Sequence, residues 1–146
     1  MVASVTPLPS DCGKLCGARC CTGDGLGMEL LPGETEACGM SGFGSVENGI
    51  FVCRGSCDRK QRPYACMIFP MVPLVFEENG RLRIEAANDL RAVPVCPIAK
   101  AKLLPSFAAA VRRSAAVLCE SAALREYLSE KTEEYLEIKQ LSNLLN

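Results

Sequence analysis

The chain has 146 residues, a formal net charge of −1 and a hydrophobic content of 49%. This length is typical of one domain, and a net charge near zero creates no global field that would attract nucleic acid. The chain contains ten cysteines and no histidine, which excludes sites that depend on an imidazole. No apolar stretch approaches the length of a membrane-spanning helix, so we expect neither a nucleic acid nor a membrane as a partner.

Cysteines are densest near the start of the chain, where four of them form the run C-x3-C-x3-C-C: Cys12, Cys16, Cys20 and Cys21. The first three are spaced i, i+4, i+8, so on a helix they would lie on one face. Gly13 and Gly17 argue against a stable helix, because glycine lowers helix stability. We therefore expect a tight loop that presents thiolates to a metal.

Two short strands are predicted after this run. Residues 27–31 end at a Pro-Gly turn, and residues 50–53 follow an Asn-Gly turn signal. Cys53 closes the second strand and begins another C-x3-C pair with Cys57, and Cys66 follows in the segment R-P-Y-A-C. The two cysteine groups are therefore separated by strands, and we expect them to meet in space.

The strongest strand signal is a β-hairpin over residues 73–85. Residues 74–77 and 82–85 would form its strands, joined through Asn79-Gly80. An Asn-Gly pair favours a tight hairpin turn, because both central residues of that turn need a positive φ.

The remainder of the chain is predicted to be helical. Residues 97–104 would form a short helix with proline at its first position, and residues 105–119 a longer one. The apolar face of the longer helix comprises Phe107, Val111, Ala115 and Leu118. Residues 121–145 would form the last helix, packed antiparallel on the previous one, with an apolar stripe broken only by Lys131. That stripe indicates either packing on the core or a homodimer through the C-terminal helices.

Together these elements predict the α+β class in a single domain, residues 1–146. Residues 1–98 would form a small, loop-rich and cysteine-rich part with short β-hairpins around a metal site. Residues 99–146 would form a C-terminal helical hairpin, whose first long helix covers the cysteine-rich part. That part has few large hydrophobic residues of its own, so cross-links or a metal should hold it together.

Thiols this dense in a short chain indicate either disulfides or a metal site. The first 13 residues contain neither the basic segment nor the apolar run of a secretory signal peptide. We therefore expect a cytoplasmic protein, in which thiols stay reduced or bind metal. This favours a metal site over a disulfide-stapled structural protein, which is the alternative.

Seven cysteines in the two groups are candidate metal ligands: Cys12, Cys16, Cys20, Cys21, Cys53, Cys57 and Cys66. Because the chain has no histidine, the site would be built from thiolates, with at most a carboxylate added. All-sulfur sites select zinc or iron–sulfur clusters. The x3 spacings match neither the common zinc knuckle nor the standard ferredoxin runs, so spacing alone leaves the metal open.

The segments CGKLCGARCC, LLPGE and CRGSCDRKQRPYACMIFP together resemble the YkgJ-like cysteine-cluster proteins, over residues 12–98. Zinc or iron chelation is attributed to that family. The resemblance implies that Cys96 is a further ligand and that Glu34 is an oxygen ligand or a neighbour of the site. The x3 gaps are similar to those of flagellin lysine N-methylase, a relative linked to an iron–sulfur cluster, whereas Met67 stands where the family usually has arginine. This likeness implies an iron–sulfur cluster slightly ahead of zinc.

Three further residues are interpreted one by one. Arg62 should shape the loop before Cys66, or donate hydrogen bonds to a ligated thiolate beside the cofactor. Cys38 and Cys119 lie outside the motifs and should be buried as small hydrophobic residues.

The sequence thus predicts a metal-binding protein of the cysteine-cluster type, with Glu34 and Arg62 beside an iron–sulfur cluster or zinc. A redox or methyl-transfer enzyme that uses the cluster is the second hypothesis. The chain has no phosphate loop and no dinucleotide fingerprint. Acid–base catalysis would therefore depend on Glu, Asp, Lys, Tyr or Cys side chains.

Overall fold

A computed structural model of the chain describes residues 4–10, 12–22, 27–39, 42–55, 58 and 60–145. Helices and antiparallel strands occur together in these residues, which confirms the α+β class. The elements are α1 (Cys12–Cys16), α2 (Arg19–Thr22), β1 (Met28–Glu29), α3 (Thr35–Gly39), β2 (Gly44–Glu47), β3 (Ile50–Cys53), α4 (Tyr64–Ile68), β4 (Met71–Glu78), β5 (Arg81–Asn88), a 3-10 turn (Leu90–Ala92), α5 (Pro105–Leu118) and α6 (Ala122–Leu145).

The first cysteine run folds as two short helices, not as the predicted loop. Cys12 and Cys16 lie one turn apart in α1, and the Cys16 thiol donates a hydrogen bond of 3.6 Å to the Cys12 carbonyl. Gly17 and Ala18 then adopt positive φ values of 65° and 55°, which ends α1 before α2 begins. Glycine did not prevent this helix because α1 has only five residues and Gly17 lies just past its end, where a positive φ is favoured.

A three-stranded antiparallel sheet follows, in the order β1-β3-β2. Both strands predicted here are present, whereas β2 and α3 were not predicted. Gly44 of β2 lies so close to β3 that a Cβ there would meet the Val52 carbonyl oxygen at 2.3 Å. The ring of Phe51 fills the same region, and together with Leu30 and Cys38 it forms a small hydrophobic cluster. Cys38 is buried, as predicted.

The predicted β-hairpin is present and longer than expected. β4 and β5 pair antiparallel from Met71 opposite Asn88 to Glu78 opposite Arg81. Asn79 and Gly80 at the tip have φ values of 53° and 73°. The Asn79-Gly80 turn that was predicted from the sequence therefore lies at the tip of the hairpin and sets which residues of β4 and β5 face each other.

The short helix predicted over residues 97–104 is wrong. Those residues form successive turns, held in part by the Asn88 side chain, whose amide donates to the carbonyl oxygens of Ala99 and Ala101 at 2.8 and 3.1 Å. Asn88 thus takes the Ala99 carbonyl, which a helix would use for the N–H of Leu103, and Pro105 has no N–H to offer the Ala101 carbonyl.

Both long helices are present, but they pack differently from the prediction. α5 lies against β5 and β4, and α6 lies mainly against β4, so each helix packs on the hairpin more than on the other helix. The reason is that a two-stranded hairpin is not stable alone and leaves apolar surface to be covered. Within the described residues, no helix combines the length and the apolar character needed to cross a membrane.

The main hydrophobic cluster lies where the hairpin meets α4, α5 and α6. Phe107, Val111 and Ala115 of α5 are fully buried at its centre, as predicted, and Cys119 is buried with them. The cluster also takes up Leu31, Tyr64, Ile68, Met71, Val75, Leu103, Ala110 and Leu128. The helices therefore contact the cysteine-rich part through α4 and the end of β1.

Candidate metal centre

Five of the predicted ligand cysteines line one small cavity, with a volume of about 60 Å³: Cys12, Cys16, Cys20, Cys66 and Cys96. They come from four separate segments, namely α1, α2, α4 and the loop that follows the 3-10 turn. The expectation that the early cysteines meet the later ones in space is therefore confirmed for the described residues.

The cavity is otherwise bounded mainly by apolar and proline residues, including Pro70, Met67 and Ile98. Burial raises the pKa of the Cys96 thiol, and the neighbouring charge of Cys16 acts in the same direction. Backbone hydrogen bonds from Ile98 and Ala99 oppose this increase. Cys12, Cys16, Cys66 and Cys96 are half-buried and Cys20 is exposed, so the cavity is partly open to solvent, and the charged form of the Cys96 thiol is disfavoured there.

Cys21 and Cys53 form a second group that touches the first. The Cys21 thiol lies near both Cys20 and Cys53 and affects the pKa of Cys20. Hydrogen bonding from Cys21 lowers the pKa of Cys20, although burial and the charges of Cys12, Cys16 and Cys66 oppose it. The same interaction, followed by burial, raises the pKa of Cys21. Of this adjacent pair, Cys20 is therefore the thiol that ionises first.

Arg62 lies at the junction of the two cysteine groups. Its positive charge acts on Cys21 in the direction that favours the thiolate. Its Nε atom is buried, and no acceptor within the described part of the chain hydrogen-bonds to it. An unpaired buried guanidinium donor is energetically costly, which distinguishes Arg62 from the other charged residues around the cysteines.

Glu34 has a positioning role. Its two carboxylate oxygens accept hydrogen bonds from the backbone N–H groups of Leu31 at 2.7 Å and Tyr64 at 2.9 Å. Tyr64 begins α4, whose first N–H groups have no partner within the helix. Glu34 therefore holds the start of the helix that carries Cys66, and it does not line the cysteine cavity.

The thiol donor set fits an all-sulfur centre, but the described side chains are not yet at ligating distances from one another. Among the described Cys, Asp and Glu residues, no group of three or more is arranged to hold a metal ion. Metal binding would therefore require the cysteines around the cavity to move closer together. Cys57, another predicted ligand, lies outside the described residues.

A larger cleft of about 710 Å³ adjoins the cavity, and it shares Cys20, Cys66 and Arg62 with it. At its far side, the Lys131 ammonium group lies 2.8 Å from Glu29 and pairs with Glu134 as well. Sequence reasoning missed this cleft. The one sequence feature that could have indicated the cleft is Lys131, a charged residue in the apolar stripe of the last helix.

No family model, no curated protein and no solved structure matches this chain. The resemblance to the YkgJ-like cysteine-cluster proteins therefore stays a prediction from three sequence segments. The case for a metal centre depends on the geometry of the cysteines themselves.

Proposed function

We propose that the chain is a thiolate metal-binding protein, whose centre forms in the cavity lined by Cys12, Cys16, Cys20, Cys66 and Cys96. One observation carries the proposal: five cysteines from four separate segments line a single cavity of about 60 Å³. Four thiolates complete a tetrahedral zinc site or ligate an iron–sulfur cluster, so this cavity has enough donors for either.

Electrostatics support a cation at this position. The neighbouring cysteine charges of Cys12, Cys16 and Cys66 all oppose ionisation of Cys20. A bound metal converts such repulsion into attraction, because each thiolate then faces a nearby positive charge. Arg62 supplies positive charge from the protein itself, and it would stabilise the ligated thiolates from outside.

We favour an iron–sulfur cluster slightly over zinc, on the x3 spacing and the sequence resemblance. A bound cluster would supply one-electron redox chemistry, whereas zinc would act as a structural cross-link. Cys21 and Cys53, with Cys57 as a third candidate, would either shield this centre or form a second site beside it.

The test is the metal content of protein that is purified and kept without oxygen. We expect close to one centre per chain, with iron and sulfide in a brown protein or zinc in a colourless one. Cys20→Ser and Cys66→Ser should each remove most of the metal, whereas Cys119→Ala, in the main core, should leave metal content unchanged. Equal metal content in all three variants, or no metal in the parent protein, would refute the proposal.

A cluster-dependent redox or methyl-transfer enzyme is the second candidate function. The observation that favours it is the large cleft, because its wall includes two of the cavity cysteines, Cys20 and Cys66. A reversible one-electron signal in electron paramagnetic resonance, altered by small molecules that enter the cleft, would support this role. A centre that cannot be reduced would exclude electron transfer.

A further inference from the structure

The cleft beside the cysteine cavity has the dimensions of a small-molecule site. Its volume of about 710 Å³ lies within the range of about 300–1,000 Å³ that ligand pockets occupy. It runs from the cysteine-bearing ends of α2 and β3 to the side of α6 that carries Tyr127 and Lys131. A ligand in this cleft would therefore extend from the thiols to the last helix.

Most of the cleft wall is apolar. Buried side chains from five elements or loops line it: Leu31, Phe51, Ile68, Met71 and Leu128. The ring of Tyr127 adds a flat surface next to these residues. Such a wall gains free energy by covering an apolar ligand body, in proportion to the area removed from water.

The charges in the cleft are unequally distributed. Among the residues that the structure describes, five cationic and two anionic side chains line it. On the α6 side, Lys131 is paired with Glu29, and Arg91 is paired with Asp89. Each acid in the lining therefore already neutralises a cation at that side.

The cysteine side of the cleft carries the remaining three cations, Arg19, Arg54 and Arg62. None of them forms an ion pair with an acidic residue in the described part of the chain. Arg62 also has the buried, unpaired Nε donor. An anionic group bound at this side of the cleft would balance the excess positive charge.

We propose that the cleft binds an organic anion with an apolar body, held with its carboxylate or phosphate head at Arg62 beside the cysteines and its body along Phe51 and Leu128. The apolar wall and the arginines belong to the chain itself, but β1 and β3 form part of the wall, so the site rests on the proposed centre to the extent that the centre holds these strands folded. Where the centre is loaded, the head group would lie next to it.

The test is calorimetric titration of oxygen-free protein with four ten-carbon probes: decanoate, decyl phosphate, decanol and decyltrimethylammonium. We expect saturable binding of one of the two anions, with at least tenfold weaker binding of the alcohol and the cation. The tighter of decanoate and decyl phosphate identifies the head group. Absence of binding by both anions, or equal binding of the cation, would overturn the proposal.

Variants separate this site from the metal centre. Arg62→Gln should weaken anion binding about tenfold, because it removes a charged hydrogen bond. The matched control Arg112→Gln, on the exposed face of α5, should leave affinity unchanged. If Arg62→Gln instead lowers metal content and leaves anion affinity unchanged, Arg62 stabilises only the cysteine thiolates. The proposal that the anionic head group binds at Arg62 would then be wrong.

A second variant acts at a distance from the cysteines. Val72→Trp introduces a large ring into the cleft wall from β4. It should weaken binding of the ten-carbon anion at least tenfold while the metal content stays at the parental level. Unchanged anion affinity in Val72→Trp would show that the ligand binds elsewhere and would overturn the proposal.

Discussion

Glu34 connects two segments that are 30 residues apart in sequence. One carboxylate oxygen accepts the N–H of Leu31 in the turn before α3, and the other accepts the N–H of Tyr64 at the start of α4. Negative charge at a helix N-terminus is stabilising, and the carboxylate also satisfies N–H groups that would otherwise lack a partner. The position of Cys66, two residues later, therefore depends on Glu34.

We predict that Glu34→Gln lowers the free energy of unfolding by about 2 kcal/mol. The amide oxygen can accept only one of the two hydrogen bonds, and hydrogen bonds to charged groups contribute about 1.5–3 kcal/mol. Metal content should also fall, because α4 would hold Cys66 less firmly. Chemical denaturation and metal analysis measure the two effects.

Glu36→Gln is the matched control, since it makes the same chemical change on the exposed side of α3. It should change neither quantity measurably. If both variants behave alike, the hydrogen bonds of Glu34 do not stabilise the fold, and its expected role beside the metal centre fails as well.

The sequence identified important side chains better than it identified the groups to which they hydrogen-bond or with which they form ion pairs. The resemblance singled out Glu34 and the loop chemistry singled out Arg62; Arg62 lines the cysteine cavity, whereas Glu34 contacts the start of the helix that carries Cys66. Their hydrogen bonds could not be predicted, because the partner of Glu34 is brought near only by the packing of α4 on the rest of the chain. Lys131 was noted as a charged residue in the apolar stripe of the last helix. Its ion pair with Glu29 could not be predicted, because the two residues are about a hundred positions apart in the sequence.

Among the elements, β4 depends on α6 for the completion of its hydrogen bonds. The buried Thr132 hydroxyl accepts a hydrogen bond from the Val75 N–H at 2.8 Å and donates one to the Leu128 carbonyl at 2.8 Å. Tyr135 adds a hydrogen bond of 3.2 Å from its hydroxyl to the Asn88 carbonyl. The last helix thus satisfies polar groups of the hairpin in addition to covering its apolar surface.

We predict that Thr132→Val destabilises the protein by about 1–3 kcal/mol. The substitution keeps the shape of the side chain but leaves the buried Val75 N–H without an acceptor, and an unsatisfied buried donor costs about that much. Thr132→Ser, which retains the hydroxyl, should lose less. Urea denaturation of the parent protein and the two variants measures these losses of stability. A Thr132→Ser variant that is less stable than Thr132→Val would contradict the prediction.

The elements that were predicted correctly have strong local signals. The Asn-Gly turn specifies the β4–β5 hairpin by its own backbone preference, and the spacing of Phe107, Val111 and Ala115 specifies the buried face of α5. Residues 97–104 have a helix-start proline but no comparable pattern, and hydrogen bonds from Asn88 decide their conformation. For α1 the error was the reverse: a loop was predicted where the structure has a helix. The prediction gave more weight to Gly13 and Gly17 than to the i, i+4 spacing of the cysteines, which favours a helix.

The end of α6 bears on the expected homodimer. Its last turns expose leucine side chains, namely Leu136, Leu141, Leu144 and Leu145. Of the stripe predicted for this helix, Leu128 and Tyr135 pack on the core and Leu145 faces solvent, whereas Leu136, Leu141 and Leu144 lie outside that stripe. Association through these leucines stays a prediction.

The described residues form two hydrophobic clusters of very unequal size. Twelve buried residues form the main cluster around the hairpin and the long helices, whereas only Leu30, Cys38 and Phe51 are buried in the cluster of the three-stranded sheet. Ordering a residue costs about 1–2 kcal/mol of backbone entropy, and burying one large apolar side chain gains about 1.5–3 kcal/mol. Three buried side chains therefore cannot hold the β1–β3 region folded without further support.

We predict that removing the metal from reduced protein unfolds this region selectively. Binding free energy at a thiolate centre contributes directly to folding, because the unfolded chain has no preformed site. In hydrogen-exchange mass spectrometry, peptides covering β2 and β3 should lose protection in chelator-treated, oxygen-free protein. Peptides covering β4 and α5 should keep their protection, because none of the twelve buried residues of the main cluster lines the cysteine cavity. Equal protection with and without metal would mean that the centre does not stabilise the fold, and equal loss in α5 would mean that both clusters unfold as one unit.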